Sequence, residues 1–263
     1  MIDRRMLKNT LYPIGAIGNS LSKHIYYLLN LIAFCAYLIR VSWTFKNNEK
    51  WRVYQGFIHQ IYETGIKNLF IFTIMGLLIG MFAILQIQHQ ITKAIGLGNL
   101  GGALNSVIIR ELSAFVPAIF VILSSGVSIT SELGYMTVLG KADLLRNAVP
   151  KFWALVFCIP FLVIYFDITS LLGGYLLANS ITEIPFPVFL DSLTHAISAS
   201  DFVVSLLKAV IFALTIATIS IYQGLQTKES TEISHLVSCT AIHSLFYCFI
   251  LDITIFITCY LPG

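Results

Sequence analysis

The sequence predicts an all-α membrane protein with five transmembrane helices and an N-terminal interfacial or re-entrant helix. Three observations carry that reading. Of 263 residues, 57% are hydrophobic and only 11% are charged, against about a quarter charged in soluble domains. A soluble domain of this length cannot bury that much apolar side chain, so the surrounding solvent must be lipid. Five separate stretches reach the roughly 20 apolar residues that a spanning helix needs. The lysines and arginines alternate between connections. No ten-residue segments of alternating polarity suggest a barrel. A net charge of +3 leaves no basic footprint for nucleic acid. Aromatic residues make up 13%, which excludes disorder. Cys35, Cys158, Cys239, Cys248 and Cys259 all lie in apolar runs without a CxxC pair, so neither a disulfide framework nor a zinc site is expected.

The chain reads as one membrane domain over 1–263, with an N-terminal interfacial region over 1–50 and a five-span core over 66–261. The first apolar run, 25–41, is short. If it spanned, Arg4, Arg5, Lys8 and Lys23 would face outward against the positive-inside bias. With Tyr26, Tyr27, Phe34 and Tyr37 for the headgroup zone, it reads as a helix lying in the interface. No small-residue cleavage site follows closely, so it is not read as a signal peptide. The spans are expected at 66–88, 103–127, 152–179, 202–224 and 236–261. Arg40, Lys46, Lys50, Arg52 and Lys67 precede the first, and only Lys93 follows it. Lys141, Arg146 and Lys151 lie between the second and third. The next connection has Glu183, Asp191 and Asp201 but no cation, and the one after it has Lys228. This places the N-terminus in the cytoplasm and the C-terminus outside.

Five charges fall inside apolar stretches: Arg110, Glu111, Asp167, Lys208 and Asp252. Each costs roughly 2.5–3.5 kcal/mol at a helix centre on insertion scales, so they must face one another or a wet cavity. Arg110 and Glu111 are adjacent, about 100° apart on a helix, so they do not neutralise each other face to face. Structural ion pairs and a polar-lined substrate cavity are both open readings. The cavity is the sharper one for Arg110, Glu111, Lys208 and Asp252, while Asp167, nearer a helix end, is read as structural.

Other patterns carry less. Gly96 to Gly101 matches GxGxxG, but no strand precedes it and it joins two spans, so it reads as a loop. Gly76 and Gly80 form a GxxxG helix-packing face. Pro117 and Pro160 are expected to kink their helices. The six histidines show no HExxH, and no metal site is expected. With no GxxxxGK[ST], the chain is not expected to hydrolyse ATP, and no catalytic residue is proposed.

Taken in order, a set of motifs resembles the MlaE/YrbE-type permease family, the membrane subunit of ATP-binding-cassette lipid transporters that work with Mce-domain proteins. Gly80-Met81 with Leu85-Gln86 is similar to the family's first-span GM…LQ. Ile109-Arg110-Glu111-Leu112 resembles its LREL, and Ser131-Glu132-Leu133-Gly134 with Met136 its AELGxM. Pro150-Lys151-Phe152-Trp153 resembles its PR-aromatic entry to the next span. Leu172-Gly173-Gly174, Lys208 with Phe212, Tyr222-Gln223-Gly224 and Asp252 follow in the family's order. The resemblance implies a homodimer in a bacterial inner membrane or the equivalent plastid inner envelope. It implies two cytosolic ATPase subunits, which carry the ATP so that this chain needs no cofactor, an Mce-type ring outside, and a cavity for phospholipid. It places Arg110, Glu111, Lys208 and Asp252 around that cavity.

The sequence departs from the family after Glu-Leu-Gly. The stretch expected to dock on the ATPase is shorter. An arginine near Ser124 is replaced, and two arginines before the last span appear as His235 and Cys239. The coupling segment is therefore read as Glu132 to Pro150, opening with a turn at Glu132-Leu133-Gly134. Lys141 to Ala148 is expected to form a short helix carrying Asp143, Leu144, Leu145 and Arg146. Two other functions remain open: an ion-coupled secondary transporter using Glu111 and Asp252 as a proton relay, and a membrane scaffold without transport.

Overall fold

The computed structural model describes residues 26–43, 47–94, 106–140, 144–182, 185–196 and 198–260. Within these it describes side chains except at 47–50, 52, 87–94, 106–107, 182, 196 and 260. The Gly96–Gly101 loop, Lys141 and Asp143 lie outside the described residues. Among the described residues there is no strand. The chain separates into two compact units, Met1–Phe45 and Lys46–Gly263.

The first unit contains one described helix, α1 (Tyr26–Trp43). At about 1.5 Å per residue it is about 27 Å long, close to the roughly 30 Å of a hydrocarbon core. Tyr26, Tyr37 and Trp43 are exposed, the residue types enriched at membrane–water interfaces. By length and composition six helices among the described residues are able to cross a membrane, and α1, at 18 residues, is the shortest of them.

The second unit runs α2 (Asn47–Thr64), a 3₁₀ turn (Ile66–Asn68), α3 (Leu69–Ala94), a π-helical turn (Ser106–Leu112), α4 (Ser113–Val121), a second π turn (Ile122–Gly126) and α5 (Val127–Val138). After these come α6 (Leu144–Thr182), α7 (Phe186–Ala196), α8 (Ala199–Leu225), a 3₁₀ turn (Ser230–Glu232) and α9 (Ile233–Tyr260). Two expectations change. The sequence places a turn at Glu132-Leu133-Gly134, but the chain stays helical to Val138, and the turn falls at Leu139 and Gly140. Gly140 has φ +64°, a left-handed conformation that glycine adopts without Cβ strain. The expected short coupling helix does not stand alone either. Leu144 to Ala148 form the first turns of the 39-residue α6, which continues through Pro150 into the span. At about 58 Å, α6 is longer than the hydrocarbon core is thick. The apolar count therefore located the spans but underestimated helices whose polar ends continue past the lipid. The amphipathic α7, in the acidic connection, is too short for a span count to register.

Backbone proximity fixes one pair of helices. A Cβ on Gly80 would overlap the Ser170 carbonyl, one on Gly76 would overlap Thr169, and one on Gly173 would overlap the backbone of Leu77. Only hydrogen at these positions lets α3 and α6 lie this close, as small residues do at membrane helix interfaces. On the outer face of α3, Phe70, Ile74, Leu78 and Phe82 are exposed at intervals of four, one helix stripe that meets lipid. Phe72 turns inward and packs edge-on against Phe120, with ring centroids 4.6 Å apart. Pro150 and Pro160 both sit within the continuous α6, and Pro117 sits within α4. The central helix is α8, where Ala209, Phe212, Ala213, Ile216 and Ala217 are each fully buried.

Candidate functional site

The spacing on α8 sets up the site. Asp201, Ser205 and Lys208 stand at i, i+4 and i+7, so they share one face, and all three are at most 3% exposed. Each is matched from a neighbouring element. Arg110, delivered by the first π-helical turn, places Nε 3.1 Å from Asp201 Oδ1 and donates from Nη2 to Oδ2 at 3.1 Å. This is the two-point geometry that suits a guanidinium to a carboxylate. Asp201 Oδ2 also accepts from the Ser198 backbone N–H at 3.4 Å, the reciprocal half of a capping box at the start of α8. Lys208 Nζ donates to Asp252 Oδ1 on α9 at 2.9 Å and to the Arg110 carbonyl oxygen at 3.1 Å. Its ammonium lies 6.0 Å from the centroid of the Phe256 ring. Between the two ion pairs, Ser113 and Ser205 hydroxyls meet at 2.7 Å, and Ser113 donates to Asp167 Oδ2 at 2.7 Å. Wide π turns recur at functional sites, and here one opens the helix directly before Ser113.

Of the four charges assigned to a cavity, Lys208 and Asp252 thus pair directly, and Arg110 joins them through its carbonyl oxygen while its guanidinium pairs with Asp201. Glu111 does not join them: it is exposed, with no partner among the described residues. The partner that the sequence reading placed in a connection is Asp201. A signal for it existed, since Ser198-Ala199-Ser200-Asp201 before an apolar run is a capping-box pattern that brings the acid inside the first helical turn. The exposures are uneven. Asp201 is buried at 3%, but the Arg110 side chain remains 38% exposed, so the pair presents its cationic side to the surroundings. In the orientation expected from the lysine and arginine distribution, this seam lies toward the outer ends of the spans.

A second polar layer lies toward the other ends. Thr240 donates to Gln223 Oε1 at 2.9 Å, Gln223 Nε2 lies 2.8 Å from His243 Nδ1, and Thr130 donates to the Ser220 carbonyl at 3.0 Å. These contacts tie α9 and α5 to α8. Beside them a cavity of about 730 Å³ opens between α5 and the start of α9, with Ser124, Ser128, Glu132, Tyr135, Ser230 and Ser234 among its lining. Glu132 forms an ion pair with Lys151, so the residue that opens the expected coupling segment is braced against α6. A Cβ on Gly134 would stand 3.0 Å from Thr227 Oγ1. Leu144, Leu145 and Arg146 are half-buried. No group of three potential ligands to a metal ion occurs among the described residues.

Long apolar helices, lipid-facing stripes and paired charges inside the spans define a multi-pass α-helical membrane protein. More closely, the pattern of the family described as Permease MlaE matches residues 57–258, and the chain belongs to that family. It is 27% identical over 198 residues to the Haemophilus influenzae intermembrane phospholipid transport system permease protein MlaE, covering 71% of this chain and 76% of that protein. It is 28% identical over 192 residues to protein TRIGALACTOSYLDIACYLGLYCEROL 1, chloroplastic, of Arabidopsis thaliana, covering 67% of this chain and 55% of the plant protein. A probable ABC transporter permease protein, ycf63, of Pyropia yezoensis is 27% identical over 205 residues, 74% of this chain and 78% of that protein. A chain of this kind resides in a bacterial inner membrane or the equivalent plastid envelope.

Proposed function

We propose that this chain is the permease subunit of an ABC-type transporter that moves phospholipid or a similar lipid between its membrane and an Mce-type partner. It works as a homodimer on two cytosolic ATPase subunits, where the ATP is bound and hydrolysed. The observation that carries the reading is the seam of Arg110, Asp201, Lys208 and Asp252, held inside apolar spans of a chain in the MlaE permease family. Acyl tails need a dry wall with a few polar contacts at its rim. The guanidinium of Arg110, whose side chain is 38% exposed, provides such a contact. The relatives support the substrate class, since one is named for phospholipid transport.

The test is direct. The protein purified in its complex should carry phospholipid detectable by mass spectrometry together with an ATPase subunit. Arg110→Ala and Lys208→Ala should lower lipid transfer while the complex remains assembled. Undiminished transfer in both variants would remove the seam from the transport path. The relay reading gains nothing from the geometry: Asp252 is committed to Lys208, and Glu111 is exposed without a partner among the described residues.

A further inference from the structure

The two ion pairs of the seam balance each other, but Asp167 is left over. Its residue is 7% exposed, and it sits in the membrane-embedded part of α6. Oδ2 accepts the Ser113 hydroxyl at 2.7 Å, and Ser113 in turn meets the Ser205 hydroxyl at 2.7 Å. Oδ1 is buried and has no hydrogen-bond partner among the described residues. An unmatched carboxylate in hydrocarbon is the costliest arrangement the fold could keep.

The charged groups on the surrounding elements do not supply the missing positive charge. On the π turn, Arg110 is bound to Asp201 and Glu111 is exposed. On α8, Lys208 is bound to Asp252 of α9. On α5, Glu132 is bound to Lys151 of α6 itself, and Arg146 of α6 lies nearly six turns of helix away from Asp167. On α2, Glu63 is bound to Lys67 and His59 is exposed. On α7, His195 faces Asp191. Leu69 to Gln86 of α3 contains no acid, base or histidine.

We propose that Asp167, with the Ser113 and Ser205 hydroxyls, forms an intramembrane binding site for a monovalent cation, either a proton or a sodium ion. Oxygens from three helices are linked there in a chain through Ser113, and oxygen is the donor that hard cations take. Buried acids in spans commonly mark such ion paths, and transporter helices with locally irregular backbone hold Na⁺ or H⁺ in comparable settings. The same serines link this site to the face that carries Asp201 and Lys208. Loading a cation therefore neutralises the one unbalanced charge of the seam without disturbing either ion pair. The inference does not depend on which lipid is moved.

The experiment uses the full chain in phosphatidylcholine nanodiscs, comparing wild type with Asp167→Asn. If the cation is a proton, infrared spectra at neutral pH show the carbonyl band of a protonated carboxylic acid, shifted in D₂O and lost in Asp167→Asn. If it is sodium, replacing choline chloride by sodium chloride at constant ionic strength raises the melting temperature of wild type, and Asp167→Asn loses that rise. Ser113→Ala with Ser205→Ala keeps the carboxyl and should shift the band or weaken the sodium response, which decides the matter if Asp167→Asn does not fold. Absence of both a protonated-acid band and a sodium response in wild type would overturn the proposal. So would a band or response that all variants retain. Lipid transfer is not the readout, so failure here and failure of the transport reading remain distinct.

Discussion

Arg110 and Asp201 lie 91 residues apart in the chain and meet through two contacts of 3.1 Å each. The pair joins the π turn at the start of one span to the first turn of another. One side of it is a buried carboxylate and the other a guanidinium still reachable from outside.

Breaking this pair should be costly singly and partly recovered jointly. Asp201→Ala leaves a cation without its partner and also removes the cap at Ser198, so it should destabilise more than Arg110→Ala. The double variant should show a coupling energy of about 0.6–1.7 kcal/mol, the range measured between membrane helices. Thermal unfolding in nanodiscs gives the cycle, and strict additivity would mean the contact does not form in the membrane.

The glycine contact gives a second expectation. Gly80→Leu or Gly173→Val must push α3 and α6 apart, with a loss of about 1–3 kcal/mol, as for overpacked cores. Gly140→Asn, in the exposed turn, should change the melting temperature little, because asparagine tolerates the left-handed region. Equal effects at all three positions would contradict the close approach of the two helices.

Orientation can be read by labelling single cysteines in a cysteine-free background with an impermeant reagent. Ser180→Cys should react from the outside and Lys228→Cys should not. An interfacial α1 keeps both of its ends on the cytoplasmic side, so Tyr26→Cys should also be protected. Outside labelling at position 26 alone would make α1 a sixth span.

Coupling to a cytosolic ATPase is expected at the start of α6. Leu144→Asp and Arg146→Glu should lower recovery of the ATPase subunit with the permease while leaving the spans folded. Intact complexes in both variants would move the contact elsewhere, with the Gln226–Glu232 connection as the next segment to test.

The spans were legible because lipid imposes one rule, that about 20 consecutive residues be apolar. The charges at 110, 208 and 252 were legible because burial is expensive enough to demand partners. What the partners would be was not. Asp201 follows an acidic connection, and a local reading assigns it to that connection, although its capping spacing to Ser198 places it on the helix. Sequence position near the end of an apolar run makes Asp167 look structural. Its isolation becomes visible only when Ser113 and Ser205, from two other helices, are brought beside it. The turn expected at Gly134 failed because a glycine within a helix is tolerated where a neighbour comes close, and Thr227 does so here. The serine-lined cavity depends on the angle between two helices, which no residue spacing records.

The approach of Gly80 to Ser170, and of Gly173 to Leu77, has a mechanical consequence. At Gly80 and Gly173 the helices touch through backbone atoms, which no rotamer change can part, and beside them the Thr73 and Tyr165 hydroxyls meet at 2.6 Å, so α3 and α6 are held at a fixed separation. By contrast, α9 is tethered to α8 by side chains at two levels, Lys208 with Asp252 and Gln223 with Thr240 and His243. Those tethers release and re-form at the cost of rotamer changes. A force applied at the start of α6 is thus passed directly to α3, and the yielding joint is the one between α8 and α9.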